Sequence, residues 1–165
     1  MTISPGDTLP DATLLTMGPD GPQPVRMADR AGTGRVVIFG LPGAFTRTCT
    51  AAHLPSFMRT RDAFAEAGVD RVLCVSVNDP FVMKAWGEST GATDAGIELL
   101  GDSSAEFTKA IGMEFTAEPA GFIDRSKRYS MFVEDGVVKV LNPEPPGGEC
   151  EISGGETLLE QIRNL

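Results

Sequence analysis

The sequence predicts an α/β domain: a mixed central β-sheet flanked by helices on both faces, with an N-terminal β-hairpin. Three observations lead there. Short β-branched and aromatic runs alternate with segments of helical periodicity. The final pair of strand-like runs is joined by Glu134-Asp135-Gly136, a hairpin signal that turns the end of the sheet antiparallel. No internal repeat or dividing linker interrupts the 165 residues, so residues 1–165 read as one domain large enough for a core without disulfides.

Residues 1–35 are rich in Pro, Gly and Asp, with a weak strand at Ala12–Leu15 and a turn at Gly18–Pro22, which predicts a hairpin or loop covering the sheet. Val36–Phe39 is a buried strand, and Pro42-Gly43 turns the chain into the next helix. Cys49–Ala67 carries Leu54, Phe57, Met58, Arg61 and Phe64 near helical spacing, with Pro55 as a kink and Gly68 as a stop. Arg71–Val77 and Ile97–Leu100 read as strands. Between them Asp79 is an N-cap and Pro80 the first residue of a helix to Ser89. Ser103–Ile111 and Glu156–Leu165 complete the helices, Ser130–Val133 and Val137–Leu141 form the hairpin, and Asn142–Gly148 is a Pro-rich loop. The order β-α-β-α-β-α-β-β-α gives a sheet that is parallel at first and antiparallel at its end.

Fourteen Lys and Arg against 23 Asp and Glu give a net charge of −9, which argues against nucleic acid or an anionic membrane surface as partner. No apolar run reaches membrane-spanning length, and Met1–Asp7 lacks a basic start and an apolar stretch, so the expectation is a cytoplasmic chain. Cys49, Cys74 and Cys150 are an odd set with no CxxC, a poor disulfide framework and a poor zinc site. Working thiols in a reducing compartment fit better. Cys49 and His53 are four residues apart, but two ligands do not make a metal centre, and neither metal nor cofactor is expected.

The segment Pro42-Gly43-Ala44-Phe45-Thr46-Arg47-Thr48-Cys49 delivers a thiol to a helix start, where unpaired N–H groups stabilise an anion. A low thiol pKa is not sufficient for catalysis. A thiol near 8.5 is about 3% ionised at pH 7 and one near 6 about 90%, but nucleophilicity falls with a Brønsted slope of about 0.4–0.5, which returns most of that gain. Rapid attack on an O–O bond needs groups that align the oxygens and stabilise the leaving one. Thr46 can place a hydroxyl beside the sulfur while its own proton is turned to a carbonyl, and Pro42 stiffens the turn and shields the thiolate. Arg128, opening a strand in Asp124-Arg125-Ser126-Lys127-Arg128-Tyr129, has a planar fork that could hold sulfur and oxygen together. Spacing alone does not choose it over Arg125.

The run Pro42-Gly43-Ala44-Phe45-Thr46-x-x-Cys49-x-x-x-His53-Leu54-Pro55 resembles the active-site loop of peroxiredoxins of the type II, or peroxiredoxin 5-like, branch. Val75–Trp86, Arg125–Tyr129 and Asp135–Lys139 resemble the same branch in the same order, so the likeness spans nearly the whole chain. The resemblance implies a thioredoxin-like fold and a thiol-dependent peroxidase acting on hydrogen peroxide and alkyl hydroperoxides in antioxidant defence. It implies Cys49 as the peroxidatic cysteine, completed by Pro42, Thr46 and Arg128, and a sulfenic acid reduced by a thiol. It also implies a homodimer, with Phe45, Phe81 and Trp86 as interface candidates. Phe45, His53 and Phe122 are candidate substrate contacts: Phe45, Phe115 and Phe122 could line a pocket for organic hydroperoxides, with core packing the favoured reading of each, and structural hydrogen bonding near the site is the favoured reading of His53.

Cys74 and Cys150 are the candidate resolving cysteines. Cys74 lies in the apolar run Val72–Val77, about 10 Å below the strand's carboxyl end at about 3.3 Å per residue. A disulfide needs Cα atoms within about 7 Å, so bridging requires the Cys49 helix to unwind, and the favoured reading is a buried, unreactive thiol. Plant-like members of the branch carry a cysteine at a position resembling Cys74, and animal-like members one near Cys150. Cys150 reads as exposed on a loop, its pKa raised by Glu149 and Glu151. An external reductant, glutathione or glutaredoxin ahead of thioredoxin, is expected. A disulfide oxidoreductase would need a cysteine where Thr46 stands. From a different class, the chain could be a redox-sensing or chaperone-like interaction protein.

Overall fold

The computed structural model describes residues 2–145 and 150–165. A hairpin of β1 (Thr13–Gly18) and β2 (Gly21–Arg26) leads to α1 (Met27–Ala31) and β3 (Arg35–Gly40). A π-helical turn (Cys49–His53) continues into α2 (Leu54–Glu66), followed by β4 (Arg71–Ser76), α3 (Pro80–Thr90), β5 (Glu98–Gly101) and α4 (Glu106–Ala110). A ribbon of β6 (Glu114–Ala117) and β7 (Phe122–Ser126), joined through a single 3₁₀ turn, precedes β8 (Tyr129–Glu134), β9 (Val137–Pro143) and α5 (Gly155–Arg163). The main sheet has seven strands in the order β2-β1-β5-β4-β3-β8-β9. Its centre, β3, β4 and β5, is parallel, while β8 joins β3 antiparallel and β9 joins β8 antiparallel, as the alternation of elements predicts.

Period-two alternation sorts each central strand onto two cores. Val37, Phe39, Val72, Cys74 and Phe132 face α2, α3 and α5, where Phe57, Phe64, Trp86 and Leu158 are buried. Val36, Ile38, Leu73, Val75 and Met131 face α1 and α4, where Met27, Ala31, Phe107 and Ile111 are buried. Helices therefore cover both faces. Phe39 stacks on Phe57 with ring centres 4.0 Å apart, and burying each such ring contributes about 1.5–3 kcal/mol.

Two carboxylates bind first-turn N–H groups of α3 and α4. Asp79 accepts from the Val82 N–H at 2.9 Å and opens α3 where the sequence places it. Buried Asp102 accepts from Phe107 and Thr108, which delays α4 to Glu106 instead of Ser103. At the β8–β9 hairpin, Asp135 (φ +49°) and Gly136 (φ +80°) both adopt the left-handed conformation of a two-residue primed turn. Three differences from expectation have local causes. The π-helical turn replaces the start of one kinked helix, because Pro55 has no N–H and its ring would crowd the Ala51 carbonyl. The Leu54 N–H reaches back five residues to the Cys49 carbonyl and widens the turn. α1 and the β6–β7 ribbon, too short to show periodicity, were not foreseen. β9 extends through Pro143 into what reads as loop, and Pro146–Gly148 of that loop lie outside the described residues.

Candidate active site

β3 ends at Gly40, and the chain leaves the sheet's carboxyl edge in the loop that presents Cys49. Arg35–Gly40 pairs in parallel with β4 on one side and antiparallel with β8 on the other, where Gly40 faces Tyr129. That register puts Arg128, the residue before β8, at the same rim as the loop. The Arg128 Nη2 donates to Cys49 Sγ at 3.4 Å, and Nη1 donates to His53 Nδ1 at 3.1 Å. His53 Nε2 in turn donates to the Ser153 carbonyl at 3.1 Å, which fixes the tautomer. Arg128 is 6% exposed, and Cys49 and His53 have no exposed surface. The buried Arg128 Nε has no hydrogen-bond partner among the described residues. Nε and Nη2 share one edge of the planar fork, so this spare donor points to the side where the sulfur lies.

The loop itself is tied at several points. Thr46 Oγ1 donates to the Gly43 carbonyl at 2.7 Å, which leaves its lone pairs as acceptors. The Ala44 N–H donates to Asn78 Oδ1 at 3.0 Å, and Arg125 Nη1 donates to the Pro42 carbonyl at 3.0 Å. Arg125 also lies over the Phe122 ring, 5.3 Å from its centre, and Phe122 meets Phe115 edge to face. Phe45 is 58% exposed and holds φ +63°, a left-handed conformation that costs an aromatic residue about 1–3 kcal/mol. Asn78 and Arg125 have supporting places here that sequence reasoning missed. Both lie inside the motifs that carry the family likeness, which was the available signal.

Burial first, and then the Arg128 charge, push the His53 pKa down to about 3, against a weaker opposing pull from the Ser153 carbonyl. His53 is thus neutral, with both ring nitrogens engaged inside the protein. Of the two roles the sequence offers His53, substrate contact and structural hydrogen bonding near the site, the structure shows the second, against the guanidinium. Rings of Phe39 and Phe57 hold it edge-on at 5.1 and 5.6 Å. Trp86, an interface candidate from the sequence, is fully buried and donates to Thr50 Oγ1 at 3.1 Å, so it presents no surface to a partner. Phe81, another candidate beside Phe45, is 61% exposed.

Cys74 is buried in β4 opposite Phe39, and burial pushes its thiol well above the ordinary range, with the Cys49 charge adding to the rise and Arg128 opposing it. Cys150 is half-buried, not exposed, and its sulfur lies 3.8 Å from Ser153 Oγ. Its pKa is raised, as expected, but the largest cause is burial. The Ser153 hydroxyl and Arg128 oppose the rise, and the carboxylates that add to it are Glu144 and Glu156. Of the two glutamates named from sequence, Glu149 lies outside the described residues and Glu151 is not among the causes. A separate cavity of about 410 Å³, lined by Thr16, Arg30, Lys84, Glu88 and Glu98 among others, shares no residue with this site.

The chain that builds this site is similar to known proteins along nearly its whole length. The redoxin family model matches residues 4–159. Peroxiredoxin-2E-2, chloroplastic, of Oryza sativa subsp. japonica is 46% identical, across 98% of this chain and 73% of that one. Peroxiredoxin-2C of the same organism is 40% identical across 97% of this chain and 98% of its own. The crystal structure of reduced Prx3 from Vibrio vulnificus in complex with H₂O₂ superposes with a TM-score of 0.91 at 43% identity, covering 98% of this chain and 99% of that one. The chain belongs to the redoxin family, as a thioredoxin-superfamily peroxiredoxin, and is a thiol-dependent peroxidase with an antioxidant function.

Proposed function

We propose that Cys49 is the peroxidatic thiol and that Arg128, Thr46 and Pro42 complete its site. The thiolate attacks the terminal oxygen of a hydroperoxide in line with the O–O bond. An S–O bond forms as the O–O bond breaks, the other oxygen leaves as hydroxide or alkoxide and takes up a proton, and Cys49 becomes a sulfenic acid. The observation that carries this reading is Arg128 Nη2 on the sulfur at 3.4 Å with its neighbouring Nε–H unengaged among the described residues. One edge of a single guanidinium thereby stabilises the attacking sulfur and the oxygen on which charge develops. Thr46, its proton committed to Gly43, accepts from the peroxide O–H and orients it. The Pro42 carbonyl, anchored by Arg125, holds the loop at the distance this requires. Cys49 has no exposed surface, so an oxidant reaches it only through a local opening of the site.

The substrates we infer are hydrogen peroxide and small alkyl hydroperoxides, with exposed Phe45 and half-buried Phe122 as apolar contacts for the alkyl group. The reductant we infer is an external thiol, glutathione or glutaredoxin ahead of thioredoxin. Support comes from the internal thiols: burial raises the pKa of both Cys74 and Cys150 and makes both poor attackers. Phe45 and Phe81 suit a homodimer interface, and a reducing cytoplasm suits three free cysteines. Intact mass after one equivalent of peroxide tests the cycle in the wild type, Cys74→Ser and Cys150→Ser. The expected product gains one oxygen. Loss of two hydrogens in the wild type, abolished in one variant, would replace the external thiol with that cysteine.

A further inference from the structure

Glu144 begins an unbroken line of polar contacts that ends on the Cys49 sulfur. It directly follows β9 and is 8% exposed. One oxygen, Oε2, accepts from the N–H groups of Glu151 (2.7 Å), Ile152 (2.9 Å) and Ser153 (2.9 Å) and from the Ser153 hydroxyl (2.7 Å). The Glu144 N–H donates to the Arg128 carbonyl at 2.9 Å. Ser153, wrapped around this carboxylate, presents its carbonyl to His53 Nε2, and His53 Nδ1 receives Arg128 Nη1. No Lys or Arg forms an ion pair with Glu144 among the described residues. A buried carboxylate held by backbone donors instead of a cation orders a loop, because its charge is stabilised only while those N–H groups converge.

We propose that Glu144 is a positioning residue of the peroxidase site: by fixing the Ser153 carbonyl it selects the His53 tautomer, and through that ring it sets the plane of the Arg128 guanidinium on Cys49. This rests on the Cys49–Arg128 reading given above. Only a proton on Nε2 leaves Nδ1 as an acceptor, and the other tautomer would set N–H against N–H at Arg128. A carbonyl opposite Nε2 is what favours the productive form, and its place depends on three residues of backbone gathered on one oxygen. Two further facts agree. Burial alone would raise the Glu144 pKa, but the Ser153, Glu151 and Ile152 donors outweigh it and leave the carboxylate below its ordinary range. His53 is neutral, as an acceptor facing a guanidinium must be.

The test compares the second-order rate of oxidation by hydrogen peroxide with the rate of Cys49 alkylation by iodoacetamide, which does not need an aligned guanidinium. Wild type, Glu144→Ala, Glu144→Gln, Glu144→Asp, His53→Ala and the Glu144→Ala/His53→Ala pair are measured as full chains. Glu144→Ala is expected to lower the ratio of peroxide rate to alkylation rate about tenfold, the scale of a small misalignment. Glu144→Gln keeps an oxygen acceptor and is expected to restore most of it. In the His53→Ala background, Glu144→Ala is expected to add no further loss. A wild-type ratio in Glu144→Ala, or an equal loss with and without His53, overturns the proposal. Should Glu144→Ala not fold, a wild-type ratio in Glu144→Asp, whose shorter arm withdraws the carboxylate from the loop, overturns it equally. Absence of Cys49-dependent peroxide oxidation in the wild type would instead overturn the underlying site reading, and it appears before any variant is compared.

Discussion

Cys49 and Cys74 have the same side chain, lie in the same apolar cluster and have no exposed surface, yet their surroundings suit opposite fates. Cys74 is in mid-strand, paired to Phe39 on one side and Leu99 on the other, and burial makes its ionised form costly. Cys49 is equally buried but comes from a helix start and receives a guanidinium N–H at 3.4 Å. The difference teaches that reactivity here is a property of the donors converging on the sulfur, and burial serves only to keep water from competing with them.

The sharpest way to break the comparison is to exchange serine for each thiol in turn. Cys49→Ser is expected to abolish peroxide consumption, while Cys74→Ser keeps the wild-type rate of first oxidation in a stopped-flow measurement. Next comes Arg128→Met, which removes the donors but keeps an apolar stem. It should lower the peroxide rate by about 10²–10³-fold, the usual range for one lost donor to developing charge, with little change in melting temperature. An unchanged rate would remove Arg128 from the site. Arg125→Met frees the Pro42 carbonyl without touching the sulfur, so a loss of about tenfold or less is expected, seen in the same assay.

The smallest effect concerns stability and pH. The His53 pKa is near 6.5 when unfolded and about 3 when folded, so as pH falls through that window the unfolded chain takes up a proton that the folded one refuses. The stability contributed by neutral His53 is therefore present above about pH 6.5 and is lost toward pH 3. Urea midpoints at pH 7 and pH 5 should fall further apart for wild type than for His53→Gln. Equal differences would mean that His53 is not held neutral.

Much of this was legible from local pattern. Val36–Phe39, Asp79-Pro80 and Asp135-Gly136 carry their own signals of strand, cap and turn, and each is where it was expected. Cys49 at a helix start and the Thr46 hydroxyl turned to a carbonyl also follow from neighbours a few residues away. Family likeness alone favours Arg128 over Arg125, because the two are three residues apart, Arg125 near the end of β7 and Arg128 just before β8, and only the fold decides which edge each guanidinium meets. The structure gives both arginines work, one on the sulfur and one on the Pro42 carbonyl. His53, Ser153 and Glu144 were hardest to read, since His53 meets Arg128 across 75 residues and Ser153 across 100. Nothing in a single sequence pairs groups so far apart. Trp86 misled because an aromatic side chain looks alike at an interface and in a core.

Gly40 and Tyr129 are partners across β3 and β8, and the Tyr129 ring occupies the space where a Cβ on Gly40 would stand. Sliding β8 by one residue would turn Tyr129 away from that gap and invert the direction of every side chain along the strand, with Arg128 just ahead of it carried off as well. A polypeptide misaligned in this way could hide as much oil from water and still be chemically dead. Strand alignment thus acts as a proofreader for this enzyme: activity certifies that the ladder closed in its one correct frame.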